Sequence, residues 1–198
     1  MVPHYYSQKP ATSGKKTVIR TTQFGNHLVF NSQSGIFSWQ EVDKGSEILL
    51  QNVQLPSQGL ILDFGCGYGL IGITLAKANP HLQFILTDIN ELAARLTKKN
   101  CIQNKVKDNT RVFQGNLFEP IPEKSFDLII TNPPLMAGKV ILKKIIEQSK
   151  DHLTENGSIQ LVVPKKKGLI SMQKMLEEVF SSYELVIKKS GFWVLKAN

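Results

Sequence analysis

Two short stretches of this chain concentrate residue types that could do chemistry. The first is Asp63-Phe64-Gly65-Cys66-Gly67-Tyr68-Gly69, three glycines within five residues, directly after the apolar run Leu60-Ile61-Leu62. Glycine lets a backbone turn with positive φ and lets a ligand approach the main chain closely. Gly67-x-Gly69-x-x-Gly72 formally matches the dinucleotide fingerprint, a weak signal when it stands alone. Asp63 argues against that ligand. A carboxylate at the lip of the loop would repel a pyrophosphate, whereas it suits an ammonium group.

Asp88 closes the next apolar run, where an acid can accept hydrogen bonds from ribose hydroxyls. Its blander alternative is an acid that complements the dipole of the helix that follows. A ribose and a charged amine, with no phosphate, describe S-adenosylmethionine and describe NAD poorly. Cys66 is a lone thiol in this loop and reads first as a small packing residue.

The second stretch is Thr131-Asn132-Pro133-Pro134-Leu135. Neither proline has an N–H, so a β-ladder cannot continue through them. Asn132, ahead of a proline, is pushed into an extended conformation. At its simplest this is a rigid strand terminator. Chemically, the Asn132 side-chain oxygen and the Pro133 carbonyl can accept both N–H bonds of a planar exocyclic amine. That would free the nitrogen lone pair for in-line attack on a methyl sulfonium, with catalysis by positioning and electrostatics. No general base is obligatory, because the ammonium product sheds its proton readily.

These loops need elements to hold them. Thr17–Thr22 and His27–Asn31 flank Gln23-Phe24-Gly25-Asn26 and predict a β-hairpin. Ile48, Leu49 and Val53 predict a helix within 42–53. Strands are expected at 60–63, 83–87, 110–114, 126–131 and 158–163. Helices are expected at 70–78, from Asn90 to about Asn100, at 140–153 and at 169–180. The 140–153 helix is given an apolar face of Val140, Ile141, Ile145, Ile146 and Leu153. Tyr183–Lys188 and Phe192–Leu195 close the chain around Gly191, too close together for a crossover helix. The alternation predicts a Rossmann-like, doubly wound α/β fold. Its seven-stranded, mostly parallel sheet has one antiparallel strand near the C-terminus, and the hairpin is an N-terminal extension.

Composition narrows the class. A length of 198 residues suits one domain, divided into an arm and hairpin over 1–40 and a catalytic core over 41–198. No apolar run approaches the roughly 18 residues of a membrane span. The N-terminus lacks a signal-peptide pattern, and two cysteines fit a reducing cytoplasm. The four histidines are scattered and suggest no metal site. Net charge is +8, from 21 lysines and 3 arginines against 16 acids, which favours a polyanionic partner. The lysines cluster at Lys165-Lys166-Lys167, at Lys139, Lys143 and Lys144, and along the arm at Lys9, Lys15, Lys16 and Arg20. Each cluster can be a solvated face or part of an RNA phosphate track.

Together, the glycine loop with Asp63, then Asp88, Asn116 and Asn132-Pro133-Pro134-Leu135 resemble a class I S-adenosylmethionine-dependent amino-methyltransferase. More narrowly, the chain is similar to the methyltransferase small domain group, which includes ribosomal small-subunit RNA guanine-N2 methyltransferases. The arm His4-Tyr5-Tyr6-Ser7-Gln8-Lys9-Pro10, Gly35-Ile36-Phe37-Ser38 and Val42-Asp43-Lys44-Gly45-Ser46 share in this likeness. The resemblance implies that Asp63, Gly65, Cys66, Gly67 and Gly69 hold the methionine part and Asp88 the ribose. By the same likeness Ile89 packs on adenine, Asn116 meets its amino edge, Leu117 also binds the cofactor, and Asn132-Pro133-Pro134 is catalytic. Phe37, Leu135 and Lys165–Lys167 are the substrate-side candidates.

Two departures stand out. Many nucleic-acid amino-methyltransferases carry an aromatic after Asn-Pro-Pro to stack on a flipped base; here it is Leu135. The two-domain bacterial guanine enzymes also carry a second, cofactor-free copy of the fold, for which this chain is too short. The expected activity is methylation of an exocyclic amine of RNA, with guanine N2 of 16S ribosomal RNA leading. Adenine N6, cytosine N4 and a protein glutamine amide are alternatives, as is a non-catalytic RNA-binding module on a decayed fold. The expected partner is ribosomal RNA or a small-subunit particle, without membrane or metal, for a cytoplasmic monomer or weak dimer.

Overall fold

The computed structural model describes residues 8, 14–122 and 125–198. The arm residues His4, Tyr5, Tyr6, Ser7, Lys9 and Pro10 therefore lie outside the described part. Strands β1 (Lys16–Gln23) and β2 (Asn26–Gln33) pair antiparallel as the expected hairpin. Its two-residue turn places Phe24 at φ 49° and Gly25 at φ 74°, the left-handed pair that matches strand twist.

The rest alternates: α1 (Lys44–Asn52), β3 (Leu60–Phe64), α2 (Leu70–Ala78), β4 (Gln83–Asp88), α3 (Glu91–Gln103) and β5 (Thr110–Gln114). It continues with β6 (Phe126–Thr131), α4 (Lys139–Asp151), β7 (Leu153–Pro164), α5 (Leu169–Phe180), β8 (Glu184–Lys189) and β9 (Phe192–Ala197). The seven strands run in the order β5-β4-β3-β6-β7-β9-β8. Only β9 opposes its neighbours, as the short β8–β9 turn requires.

Period-two alternation buries both faces of the sheet. Ile61, Leu86, Leu128 and Ile130 belong to the core under α1, α2, α3 and the hairpin. Leu62, Ile85, Ile129 and Leu161 belong to the core under α4 and α5. The chain winds from β3 outwards to β5, then returns to β6 on the other flank of β3. The topological switch point therefore falls between β3 and β6, where ligands bind in open α/β sheets.

Two expectations need correction. Val140 is 70% exposed and belongs to no core, because the helical period sets it on the face of α4 opposite Leu142, Ile145, Ile146 and Ser149, which form the buried face. Leu153 is not helical. It opens β7 opposite Phe126, and the ladder then shifts before resuming at Leu128↔Ser158. Gly157 lets this irregularity close up, since a Cβ there would lie 2.6 Å from the Phe126 carbonyl oxygen.

Candidate active site

Strand β3 delivers Asp63 and β6 delivers Asn132 to the same end of the sheet. Their ends are in register, with Phe64 opposite Thr131, and the Thr131 hydroxyl donates to the Phe64 carbonyl at 2.8 Å. Between them opens a cavity of about 470 Å³.

The glycine loop forms one wall. Gly65, Gly67 and Gly69 adopt φ 74°, 59° and 94°, conformations that side chains rarely take. The Gly65 and Cys66 N–H groups both donate to the Thr87 carbonyl, which ties the loop to the end of β4. Among the described residues no atom lies within 4 Å of where a Gly65 Cβ would be, so they leave the loop's outer side open. Gly65, Cys66 and Gly67 line the cavity, whereas Gly69 instead starts α2 under Ile73 and Thr97.

The two carboxylates brace this wall. Asp63 is 2% exposed and accepts from the Gly72 N–H at 2.8 Å, which ties β3 to the first turn of α2. Asp88 accepts from Gly67 N–H at 2.8 Å and from Asn90 N–H at 2.9 Å. Both alternatives for Asp88 thus have a footing: it stands at the start of α3 and also on the cavity wall. Burial pushes the Asp63 pKa up to about 7, against the Gly72 hydrogen bond and with the help of nearby Asp88. Burial likewise lifts Asp88 to about 6, opposed by its two backbone hydrogen bonds. Cys66 is buried with its thiol pushed well above its usual range by burial, the state of an inert packing residue.

Ile89, Asn116 and Leu117 line the far end of the cavity. Asn116 is exposed, and its amide donates to Glu119 at 3.2 Å, leaving its oxygen as an acceptor. Pro133, Pro134 and Leu135, which follow β6, also line the cavity, as does Phe37. Of the lysine run only Lys167 reaches the wall, while Lys165 and Lys166 lie exposed further out. The α4 cluster is divided, because Lys143 lies between Glu147 at 3.9 Å and Glu178 at 3.6 Å.

Four residues at the site were given no role by the sequence. The Asn132 amide donates to Asp43 Oδ2 and to Ser46 Oγ, each at 2.9 Å. With both N–H groups engaged, its oxygen is the acceptor left for the cavity. Tyr68 and Thr87 also line the cavity, and their buried hydroxyls have no hydrogen-bond partner among the described residues. Buried polar groups are rarely left so. Asp43 and Ser46 had two visible signals, their place in the Val42–Ser46 stretch of the likeness and the N-cap pattern Asp43-x-x-Ser46; Tyr68 lay within the glycine loop and Thr87 beside Asp88, with nothing in either to mark a role.

These features fit S-adenosylmethionine: an acid for an amine, an acid for a ribose, an open glycine cradle and orphaned hydroxyls. Comparison with known proteins decides the class. Residues 27–196 match the family model of the methyltransferase small domain. The chain belongs to the methyltransferase small domain family. It is an S-adenosylmethionine-dependent methyltransferase, as the motifs led us to expect.

Among relatives, an uncharacterised protein of Bacillus subtilis, YbxB, is 38% identical over all of this chain and 99% of its own length. Ribosomal RNA small subunit methyltransferase C of Psychromonas ingrahamii is 35% identical over 83% of this chain and 46% of its own. The chain thus spans about half the length of the ribosomal RNA methyltransferases that it matches. In structure it resembles a 16S ribosomal RNA N2 methyltransferase of T. thermophilus, solved with S-adenosylmethionine and guanosine. That match has a TM-score of 0.82 at 22% identity, covering 96% of this chain and 52% of the other, and it bears on the fold. Among the described residues no helix is long and apolar enough to cross a membrane, and no group of metal-ligating side chains occurs.

Proposed function

We propose that this family member transfers a methyl group to an exocyclic amine of RNA, with guanine N2 of 16S ribosomal RNA as target. The observation that carries the reading is the fixed Asn132 amide: its Nδ2 is held by Asp43 and Ser46, and the residue lines a cavity shared with the Asp63–Gly69 loop. S-adenosylmethionine supplies an activated methyl group on a sulfonium. Everything else falls to the chain's own residues.

In this reading Asp63, Gly65, Cys66 and Gly67 hold the methionine part, and Gly69 turns the loop into α2 behind them. Asp88 takes the ribose, Ile89 packs on adenine, Asn116 meets its amino edge, and Leu117 lies against the cofactor. Asn132 Oδ1 and the Pro133 carbonyl accept the two amine N–H bonds, which turns the nitrogen lone pair out of conjugation. Pro134 stiffens the loop. Phe37 and Leu135 cover the target base with apolar surface, and Lys165–Lys167 follow the RNA backbone.

Support for RNA comes from the names of the relatives and from the +8 charge. We further propose that residues 1–198 act as one catalytic domain, in the cytoplasm, as a monomer or weak dimer. The direct test is incubation with methyl-labelled cofactor and naked RNA, small ribosomal subunits or protein, followed by nucleoside analysis. Label in N2-methylguanosine is expected. Label on protein glutamine, or on adenine or cytosine, would overturn the assignment.

A further inference from the structure

An asparagine that must accept hydrogen bonds from an amine faces a problem of orientation. Its amide has an oxygen and an NH2 of nearly equal size. Rotated by half a turn, Asn132 would present N–H to the N–H of the substrate. Something must select the productive orientation.

The structure assigns that role to Asp43, with Ser46 as its companion. Asp43 Oδ2 accepts at once from the Ser46 N–H at 2.7 Å and from the Asn132 amide at 2.9 Å. Ser46 Oγ takes the second Asn132 N–H at 2.9 Å. An ionised carboxylate only accepts, so an oxygen of Asn132 in the same place would meet oxygen. The surroundings keep the carboxylate in position. Asp43 is the N-cap of α1, and a Cβ on Gly45 would lie 2.9 Å from the Phe192 ring and 3.1 Å from Asp43 Oδ2. The adjacent cation is engaged elsewhere, with Lys44 Nζ 2.7 Å from Glu47.

Charge adds to geometry. A carboxylate on the amide N–H draws that bond's proton towards itself and leaves the amide oxygen richer in electrons. Asn132 Oδ1 therefore binds best to the amine hydrogens as positive charge develops on the nitrogen, so the effect is larger in the transition state than in the ground state. Asp43 is accordingly a positioning residue: it acts through Asn132, and it makes the cavity selective for a nucleophile that carries hydrogens.

This inference rests on the amine-methylation reading, and kinetics separates the two. Asp43→Ser keeps a good N-cap but is too short to reach Asn132. We expect kcat to fall about 100-fold, in the range found on losing one transition-state hydrogen-bond partner. KM, S-adenosylmethionine affinity and melting temperature should stay close to the parent values. Asp43→Asn, which can keep both hydrogen bonds but loses the charge, should fall between the two. If the parent enzyme labels no amine of RNA or protein, the underlying reading fails and this inference with it. If the parent labels RNA while Asp43→Ser retains kcat within threefold, the inference alone is overturned. A kcat loss matched by equal losses in cofactor affinity and melting temperature would also overturn it, by showing a merely structural role.

Discussion

The Gly72 N–H donates to Asp63 Oδ2 at 2.8 Å, and a Cβ on Gly72 would sit 2.9 Å from that same oxygen and 2.6 Å from Leu86 Cδ2. Gly72 is thus the last glycine of the fingerprint because helix α2 must come down onto β4 while its backbone reaches Asp63. Gly72→Ala should lift the helix or push the carboxylate aside. Overpacking of this kind costs about 1–3 kcal/mol. Denaturant melts should show that loss, and calorimetry a weaker S-adenosylmethionine affinity. An unchanged midpoint and affinity would mean that the approach is not needed.

The same carboxylate makes binding depend on pH. Asp63 and Asp88 titrate near 7 and 6 in the fold and near the ordinary 3.8 when unfolded. Between these values the folded protein holds more protons than the unfolded chain, so stability falls as pH rises from about 4 through 7. A cationic ligand prefers the ionised acids. S-adenosylmethionine affinity should therefore rise through pH 6–7, with protons released on binding at pH 6. Calorimetry in two buffers of different ionisation enthalpy measures that release. Asp63→Asn should make the free protein more stable at pH 8 and abolish tight binding.

The hairpin is joined to the cofactor loop through α3. Asn100 is wholly buried; its Oδ1 accepts from the Asn31 N–H at 2.8 Å, and its Nδ2 donates to the carbonyls of Asn31 and Tyr68 at 3.0 and 2.8 Å. One turn later, Asn104 pairs with Val29 in the same way. Asn100→Ala leaves buried backbone groups unpaired, and each such group costs about 1–3 kcal/mol. Since Tyr68 lies in the glycine loop, cofactor affinity should fall with stability. A melting loss without any affinity loss would uncouple the two.

Legibility in the sequence followed the range of the forces involved. Strands β5 and β6 and helices α2 and α5 have the boundaries that periodicity predicts, because apolar spacing and local caps are short-range signals. The Asp63 loop and Asn132 were legible because turn chemistry marks them. The partners of Asn132 were not, since Asp43 lies 89 residues away and meets it only when α1 lands beside the end of β6. Asn100 was a missed signal, a poor helix former inside α3, whereas Asn104 at its C-cap reads as an ordinary helix end. Val140 misled because it is apolar and next to the buried stripe in sequence, yet the helical period turns it to the face opposite Leu142, Ile145 and Ile146.

The Tyr68 hydroxyl is buried without a partner among the described residues, a state that usually costs stability. Tyr68→Phe should therefore raise the melting temperature of the free protein. If the hydroxyl serves a ligand, the thermal shift caused by S-adenosylmethionine should shrink in the variant. A variant that gains stability and keeps the full ligand shift would show that the hydroxyl meets no cofactor atom.

Charge at the cavity rim sets how binding responds to salt. Lys165, Lys166 and Lys167 are exposed where β7 ends, and Lys167 lines the cavity, so their cost of remaining solvated is small and their reach towards a backbone is large. Each phosphate contact on single-stranded RNA releases counterions and adds about 0.7 to the slope of log K against log salt. Changing all three to alanine should lower that slope by about 2 if every lysine meets a phosphate. The turnover number at saturating RNA should stay unchanged, because none of the three touches Asn132 or the Asp63 loop by hydrogen bond. Lysines also make point contacts that tolerate shape, unlike the forked arginine. The loss should therefore be similar for matched and mismatched RNA sequences, measured by titration at several salt concentrations. An unchanged slope would move the RNA path to another face, with Lys15, Lys16 and Arg20 on the hairpin side as the next cluster to change.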